Sequence, residues 1–290
     1  MGILSKHCEN GTSADLEHLL MDMGFDIVSD LTFGKSWDML SSGKRHPIIE
    51  EFQMGKKVVG FIIQSMWIFH IIKMIPPVNN RIQFWMDYYG ELLQKRKEMT
   101  DMTADFYTHI STVQGWEKDG AFDAQLAIIA GADTVSITLS NIFHSLAHDI
   151  SLQERLQEEL DPLFAPGQKF AHDQDLAGKP LLNGIIHESL RLHPPVPGGL
   201  QRVTPPEGAT IAGKYVPGDT IVTTPTYSLQ RDKRAFVKPD EFIPERWSSQ
   251  PELILRKDAF VPFSYGTYNC TGRPLAMMQL RMVTVMVSTS

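Results

Sequence analysis

From Asp15 to about His148, apolar residues recur at three- and four-residue spacing, the period of helices that bury one face. Breaks at Gly34, Pro47, Pro76-Pro77 and between Gly115 and Gly120 divide this half into a stack of helices. The longest uninterrupted stretch, about Ala121 to His148, is apolar on nearly all sides and predicts a helix in the middle of the protein. Ser151 and Glu154 then stand at capping-box spacing, opening a helix that stops near Asp161-Pro162. A further helix covers about Leu181 to Leu192 and ends at His193-Pro194-Pro195, because proline restricts the residue before it and has no N–H to donate.

Beyond that point the pattern changes. Gly208 to Thr224 alternates short β-branched runs around Pro217-Gly218, a turn dipeptide, and predicts a small hairpin. A long irregular stretch rich in Pro, Asp and Arg follows, and after Cys270 the chain becomes helical again with Pro274 in the first turn. Without internal repeats or low-complexity linkers, the expectation is a single domain over residues 1–290 with a mostly α (α+β) fold.

Composition narrows the function classes. A chain of 290 residues with 42% apolar and 21% charged residues can build a sizeable core, so disordered and fibrous classes fit poorly. A formal net charge of -7 without a long Lys/Arg run gives no footprint for nucleic acid. The two cysteines, Cys8 and Cys270, lie at opposite ends, which argues against a disulfide scaffold and frees a thiol for other chemistry. The N-terminus lacks the apolar core of a signal peptide or an anchor. Val58 to Ile72, apolar and bracketed by Lys56, Lys57 and Lys73, is short for a membrane span and reads as a buried or surface-dipping helix ahead of a stop at Pro76-Pro77.

The chemistry concentrates in Phe263-Ser-Tyr-Gly266-Thr-Tyr-Asn-Cys270-Thr-Gly272, a glycine-punctuated loop that presents one cysteine just before a helix. Glycines let backbone come close to a flat cofactor, and a helix N-terminus places free N–H groups and partial positive charge near the sulfur. Phe263, Gly266, Cys270 and Gly272 resemble the haem-loop signature of the cytochrome P-450 superfamily. Other matches follow that family's order. Ala130-Gly131-Ala132-Asp133-Thr134 resembles the oxygen-activating motif of its distal helix, and Asp133 and Thr134 lie three and four residues after Ala130. Glu188 and Arg191 form an i,i+3 pair, and Pro239 to Trp247 resembles the segment whose arginine, here Arg246, completes a Glu–Arg–Arg cluster. Arg202 matches a position that binds a haem propionate. His144, His148, His187 and His193 show no metal-ligand spacing and read as helix surface or core.

The resemblance implies a haem-thiolate monooxygenase with haem b (iron protoporphyrin IX), Cys270 as axial ligand of the iron, and Asp133 and Thr134 delivering protons during oxygen activation. Ala130, Gly131, Phe263, Gly266, Gly272 and Arg202 would line the cofactor, and Glu188, Arg191 and Arg246 would hold the scaffold. Electrons would come from NADPH through a separate cytochrome P-450 reductase, because no G-x-G-x-x-G fingerprint follows a strand in this chain. The substrate would be a small, lipophilic or secondary-metabolite molecule, with peripheral membrane contact through residues 58–75. Complete relatives reside at the endoplasmic reticulum membrane; without an N-terminal anchor the expectation for this chain is cytoplasmic or peripheral.

Two departures qualify the resemblance. Tyr268 stands where most members carry an arginine, as in Gly-x-Tyr-x-Cys loops of fungal members. The pattern is also incomplete at both ends, so the chain reads as a truncated cytochrome P-450 fold with N-terminal helices and C-terminal strands missing. Two rival readings are a thiolate-haem isomerase, dehydratase or peroxide-using enzyme, and a catalytically inactive remnant.

Overall fold

The helical periodicity of the first half is realised in a computed structural model, which describes residues 2–62, 67–99, 104–164 and 171–288. The chain forms two compact units, one of residues 15–136 and one of residues 1–14 with 137–290.

The unit of residues 15–136 is helical. It contains α2 (Leu16–Phe33), α3 (Met39–Ser42), α4 (Pro47–Ile62), α5 (Trp67–Ile72), α6 (Pro76–Glu98), α7 (Phe106–Ile110) and the first part of α8 (Trp116–His148); α1 (Gly2–Glu9) belongs to the other unit. Asp15 caps α2 by accepting the His18 N–H, and Gly34 ends it at φ 65°, a conformation open to glycine. The helix ahead of Pro76-Pro77 ends as expected, α5 stopping at Ile72, and the two prolines then open α6, where proline at the first helical positions loses no hydrogen bond. Of the predicted stretch Val58 to Ile72, α4 covers the beginning and α5 the end, and 63–66 fall outside the described residues.

α8 begins at Trp116, five residues before the predicted start, and runs through Gly120. Gly120 is no breaker: a Cβ there would stand 2.8 Å from the Trp116 ring one turn earlier, so glycine makes room for the indole. Ala124, Ile128 and Ala132 bury one face of α8 against Phe25, Val28, Ile49 and Tyr89. The all-round burial expected of this helix is not what the structure has, because Phe122 and Leu126 are exposed. Two glycines set the closest approach. A Cβ on Gly24 would meet the Ala132 carbonyl oxygen at 3.0 Å, and one on Gly131 would meet Val28 Cγ2 at 3.0 Å. Arg96 and Asp105 form a nearly buried pair at 2.6 Å, and Asp105 also caps α7.

The second unit holds the end of α8, then α9 (Ile150–Leu160), α10 (Asp173–Ala177), α11 (Pro180–Leu192), α12 (Thr226–Leu229) and α13 (Arg273–Ser288). α9 is capped by Asp149, whose carboxylate accepts the Leu152 N–H at 3.0 Å; the predicted cap, Ser151, lies inside the first turn. The small β region pairs β1 (Gln201–Val203) with β4 (Ile221–Thr223) and β2 (Ala209–Ile211) with β3 (Lys214–Val216), both antiparallel. The hairpin turns at Ala212-Gly213, φ 49° and 76°, and not at Pro217-Gly218. A two-residue hairpin loop of type I′ needs positive φ at both central positions, and these two supply it. Gly218 serves a different need, since a Cβ on it would come within 2.0 Å of the Pro206 carbonyl oxygen.

Candidate functional site

The scaffold of the second unit is built on Glu188, near the end of α11. Its Oε1 accepts from Arg191 Nη2 at 2.8 Å, Arg246 Nε at 2.8 Å and the Ile243 N–H at 3.0 Å. Its Oε2 accepts from Arg191 Nε and Trp247 Nε1, both at 2.9 Å. Neither Glu188 nor either arginine side chain is exposed to solvent. The remaining guanidinium N–H groups reach main-chain carbonyls: Arg191 donates to Gln230, Pro239 and Glu241, and Arg246 to Val237, Lys238 and Leu253. Charges this deep are costly unless every polar atom is paired, so the cluster fixes the irregular stretch 237–253 against α11 more surely than it adds stability. Gly184 allows the close contact, because a Cβ there would stand 2.6 Å from the Pro244 carbonyl oxygen.

Gln230 extends the scaffold toward the cysteine loop. Its amide nitrogen donates to the Leu190 and Arg191 carbonyls, which the proline stop leaves without helical partners, and its Oε1 accepts the Val261 N–H at 2.9 Å. Also on α11, His187 packs against Trp247 and Phe260, with ring centroids 5.2 and 5.7 Å away. Burial, reinforced by the positive charges of Arg273, Arg281 and Lys257, pushes the His187 imidazole down to about 4.

Two residues beyond Val261 the loop begins. The Cys270 N–H donates to the Phe263 carbonyl at 2.9 Å and the Asn269 N–H to Gly266, closing the turn, while Ser264 and Gly266 take φ 60° and 84°. Cys270 is a free, exposed thiol three residues ahead of α13. An added Cβ on Gly266 would meet nothing within 4 Å, and one on Gly272 would lie 3.8 Å from Cys270 Sγ. Arg273 lies over the Phe263 ring at 5.7 Å, and Arg202, on β1, lies over the Tyr268 ring at the same distance. Tyr268, in the position that resemblance would give to arginine, is thus the neighbour of the arginine expected to bind a carboxylate. Arg202 makes no ion pair among the described residues and donates to the Gln201 carbonyl.

The donor set suits one kind of group. No cluster of three or more His, Cys, Asp or Glu side chains capable of holding a metal occurs among the described residues, so a multi-ligand ion site is not what this loop offers. A single open thiol just ahead of a helix, on a loop whose Tyr268 lies under the Arg202 guanidinium, fits a thiolate ligand for haem iron and a contact for a haem carboxylate.

Asp133 and Thr134 belong to the other unit. Ala130 is exposed, Gly131 packs on Val28, and Thr134 Oγ1 donates to the Ala130 carbonyl at 2.7 Å. Phe122, Leu126, Ala130 and Thr134 recur at four-residue spacing and so share one side of α8. Asp133 Oδ1 accepts from Lys56 Nζ of α4 at 2.6 Å. Sequence reasoning gave Lys56 no role beyond flanking an apolar stretch. Gln230 and Trp247 carried no spacing signal either.

The sequence model of the family described as "Cytochrome P450" matches residues 2–287. Among similar proteins are "Cytochrome P450 monooxygenase nodW" of Hypoxylon pulicicidum, 36% identical over 98% of this chain and 53% of the relative, and "Cytochrome P450 monooxygenase FCK2" of Fusarium pseudograminearum, 40% identical over 89% and 48%. "Tryprostatin B 6-hydroxylase" of Aspergillus fumigatus is 34% identical over 89% of this chain and 47% of its own length. The chain spans about half the length of the curated relatives it matches.

Proposed function

This chain belongs to the cytochrome P-450 family, and on that premise we propose that the protein is a haem-dependent monooxygenase, inserting one oxygen atom from dioxygen into a lipophilic organic substrate of secondary metabolism. The observation that carries the proposal is the open Cys270 thiol, held at the start of α13 by a loop tied through Val261 and Gln230 to α11. Haem b, when bound, supplies the redox chemistry that cleaves dioxygen. Cys270 Sγ, free and exposed, would hold its iron, and the backbone bond from the Cys270 N–H to the Phe263 carbonyl closes the loop that presents it. Arg202, held over Tyr268, would take a propionate carboxylate.

On α8, Thr134 would hold a proton at Oγ1, and Asp133, after taking a proton from water, would replenish it and return to the carboxylate. The exposed apolar side chains of Phe122 and Leu126, on the Thr134 side of the helix, favour an apolar substrate. Electrons would come from NADPH through a separate reductase. Trp67, Ile71, Met74 and Ile75 are exposed on α5 and just after it, beside Lys73, a composition suited to peripheral contact with an anionic membrane surface such as that of the endoplasmic reticulum.

The test is the absorption spectrum of the reduced, carbon monoxide-treated haem protein. A thiolate-ligand band in the parent and its absence in Cys270→Ser is the expected result. A band unchanged by that substitution overturns the reading.

A further inference from the structure

Asp133 has a partner that the reading above does not explain. We propose that Lys56 is a positioning residue for proton delivery: from α4 it anchors one oxygen of Asp133 and leaves the other to exchange protons. The inference rests on the role given above to Asp133 and Thr134.

Three observations support it. First, Nζ stands 2.6 Å from Oδ1, with the two side chains 37% and 15% exposed, so the pair is only partly open to solvent. An ion pair screened to that degree is stronger than one in full solvent. Second, Lys56 is itself held: its Nζ lies 4.8 Å from the centroid of Phe52, which packs edge-on against the fully buried Phe25 at 5.9 Å. The lysine therefore starts from a fixed place on α4 and is not a free surface chain that happened to reach a carboxylate. Third, Asp133 directly follows residues 131 and 132, where α8 packs closely on α2: a Cβ added to Gly131 would meet Val28 at 3.0 Å, and one added to Gly24 would meet the Ala132 carbonyl oxygen at 3.0 Å. The acid stands next to a fixed point of the helix and is aimed by a fixed cation.

A helix-interior aspartate left alone tends to hydrogen-bond to its own backbone, as Thr134 does to Ala130. Lys56 prevents that collapse and occupies Oδ1 only. Oδ2, which has no partner among the described residues, remains to take a proton from water and pass one on. A lysine suits this role because its ammonium is a point charge with three donors on a long stem, and arginine preserves the charge with altered geometry.

The experiment uses the full-length haem enzyme, with Lys56→Met, Lys56→Arg and, as reference, Thr134→Ala. Lys56→Met should keep the haem spectrum, change KM less than about twofold, and lower product per reducing equivalent about tenfold with a raised solvent deuterium isotope effect. Lys56→Arg should recover most of the loss. A Lys56→Met enzyme with parental coupling and isotope effect, while Thr134→Ala diverts electrons to peroxide, overturns the inference and leaves the monooxygenase reading standing. Parental coupling in Thr134→Ala overturns the reading itself and the inference with it. A second measurement needs no turnover. In a double-mutant cycle of Lys56→Met and Asp133→Asn, the unfolding equilibrium should depart from additivity by about threefold. Strict additivity means that the ion pair does not exist in solution and sinks the proposal.

Discussion

Around Glu188, three charged side chains lie wholly out of solvent with each polar atom paired, whereas from Tyr265 to Pro274 every residue is exposed and the loop is held mainly by its own backbone bonds. Both belong to the same unit. The contrast separates two tasks that one site requires. Rigidity is concentrated in a saturated polar network some distance along the chain, and reactivity is left to a thiol that contributes little to holding anything together. Stability and cofactor chemistry should therefore respond to different substitutions.

The sharpest way to break this division is Glu188→Ala, which would leave Arg191 and Arg246 buried without their carboxylate. Removing one partner of a buried charge pair costs about 3–5 kcal/mol, so the denaturation midpoint should collapse or the protein fail to accumulate in folded form. A loss below about 1 kcal/mol would show that the network is not the anchor.

Next in size is a dependence on pH. Burial holds the His187 imidazole neutral, with its pKa lowered to about 4 in the folded protein against an ordinary value near 6.5. Above the unfolded value neither state binds the proton and nothing is lost. As pH falls toward 4 the unfolded chain takes up a proton that the folded one refuses, and stability should fall by roughly 3 kcal/mol in all. His187→Phe should flatten that part of the profile, measured as urea stability at pH 7 and again near the acid end. Equal slopes in parent and variant would mean that the histidine is solvated in the folded state.

Gly184→Ala places a methyl group against the Pro244 carbonyl oxygen, where α11 meets the arginine segment. Forcing the two apart should cost about 1–3 kcal/mol in thermal or chemical unfolding. A neutral outcome would show that the segment can slide along α11. At the other extreme, Cys270→Ser should change stability of the haem-free protein by less than about 0.5 kcal/mol, as exposed substitutions generally do. It should nonetheless erase the thiolate-haem spectrum. A large destabilisation would merge the two regions that the structure keeps apart.

How far these regions could be read in advance differs for a physical reason. Periodicity, the i,i+3 spacing of Glu188 and Arg191, and Pro274 in a first helical turn are local patterns, and local patterns survive in sequence. The cysteine loop was legible because its glycines and its one cysteine stand at set intervals. The pairing of Lys56 with Asp133 was not, because it spans 77 residues and any lysine in an amphipathic helix looks the same. The cap of α9 was misassigned because Asp149 and Ser151 both carry a capping oxygen and only backbone geometry decides between them. The hairpin turn was misplaced because Pro217-Gly218 has the stronger turn chemistry, while Ala212 gives no sign of adopting positive φ.

That alanine also marks unused room for improvement. Each substitution considered so far subtracts from the folded state, but Ala212 occupies, exposed, a left-handed conformation that side chains with a Cβ resist and that asparagine tolerates better. Ala212→Asn would turn the loop into Asn-Gly, the pair this hairpin type prefers, and should raise the melting temperature by a degree or two for a gain of about 0.5 kcal/mol. A protein engineer seeking a sturdier β region would begin at this turn, where the backbone is already bent to suit a different residue.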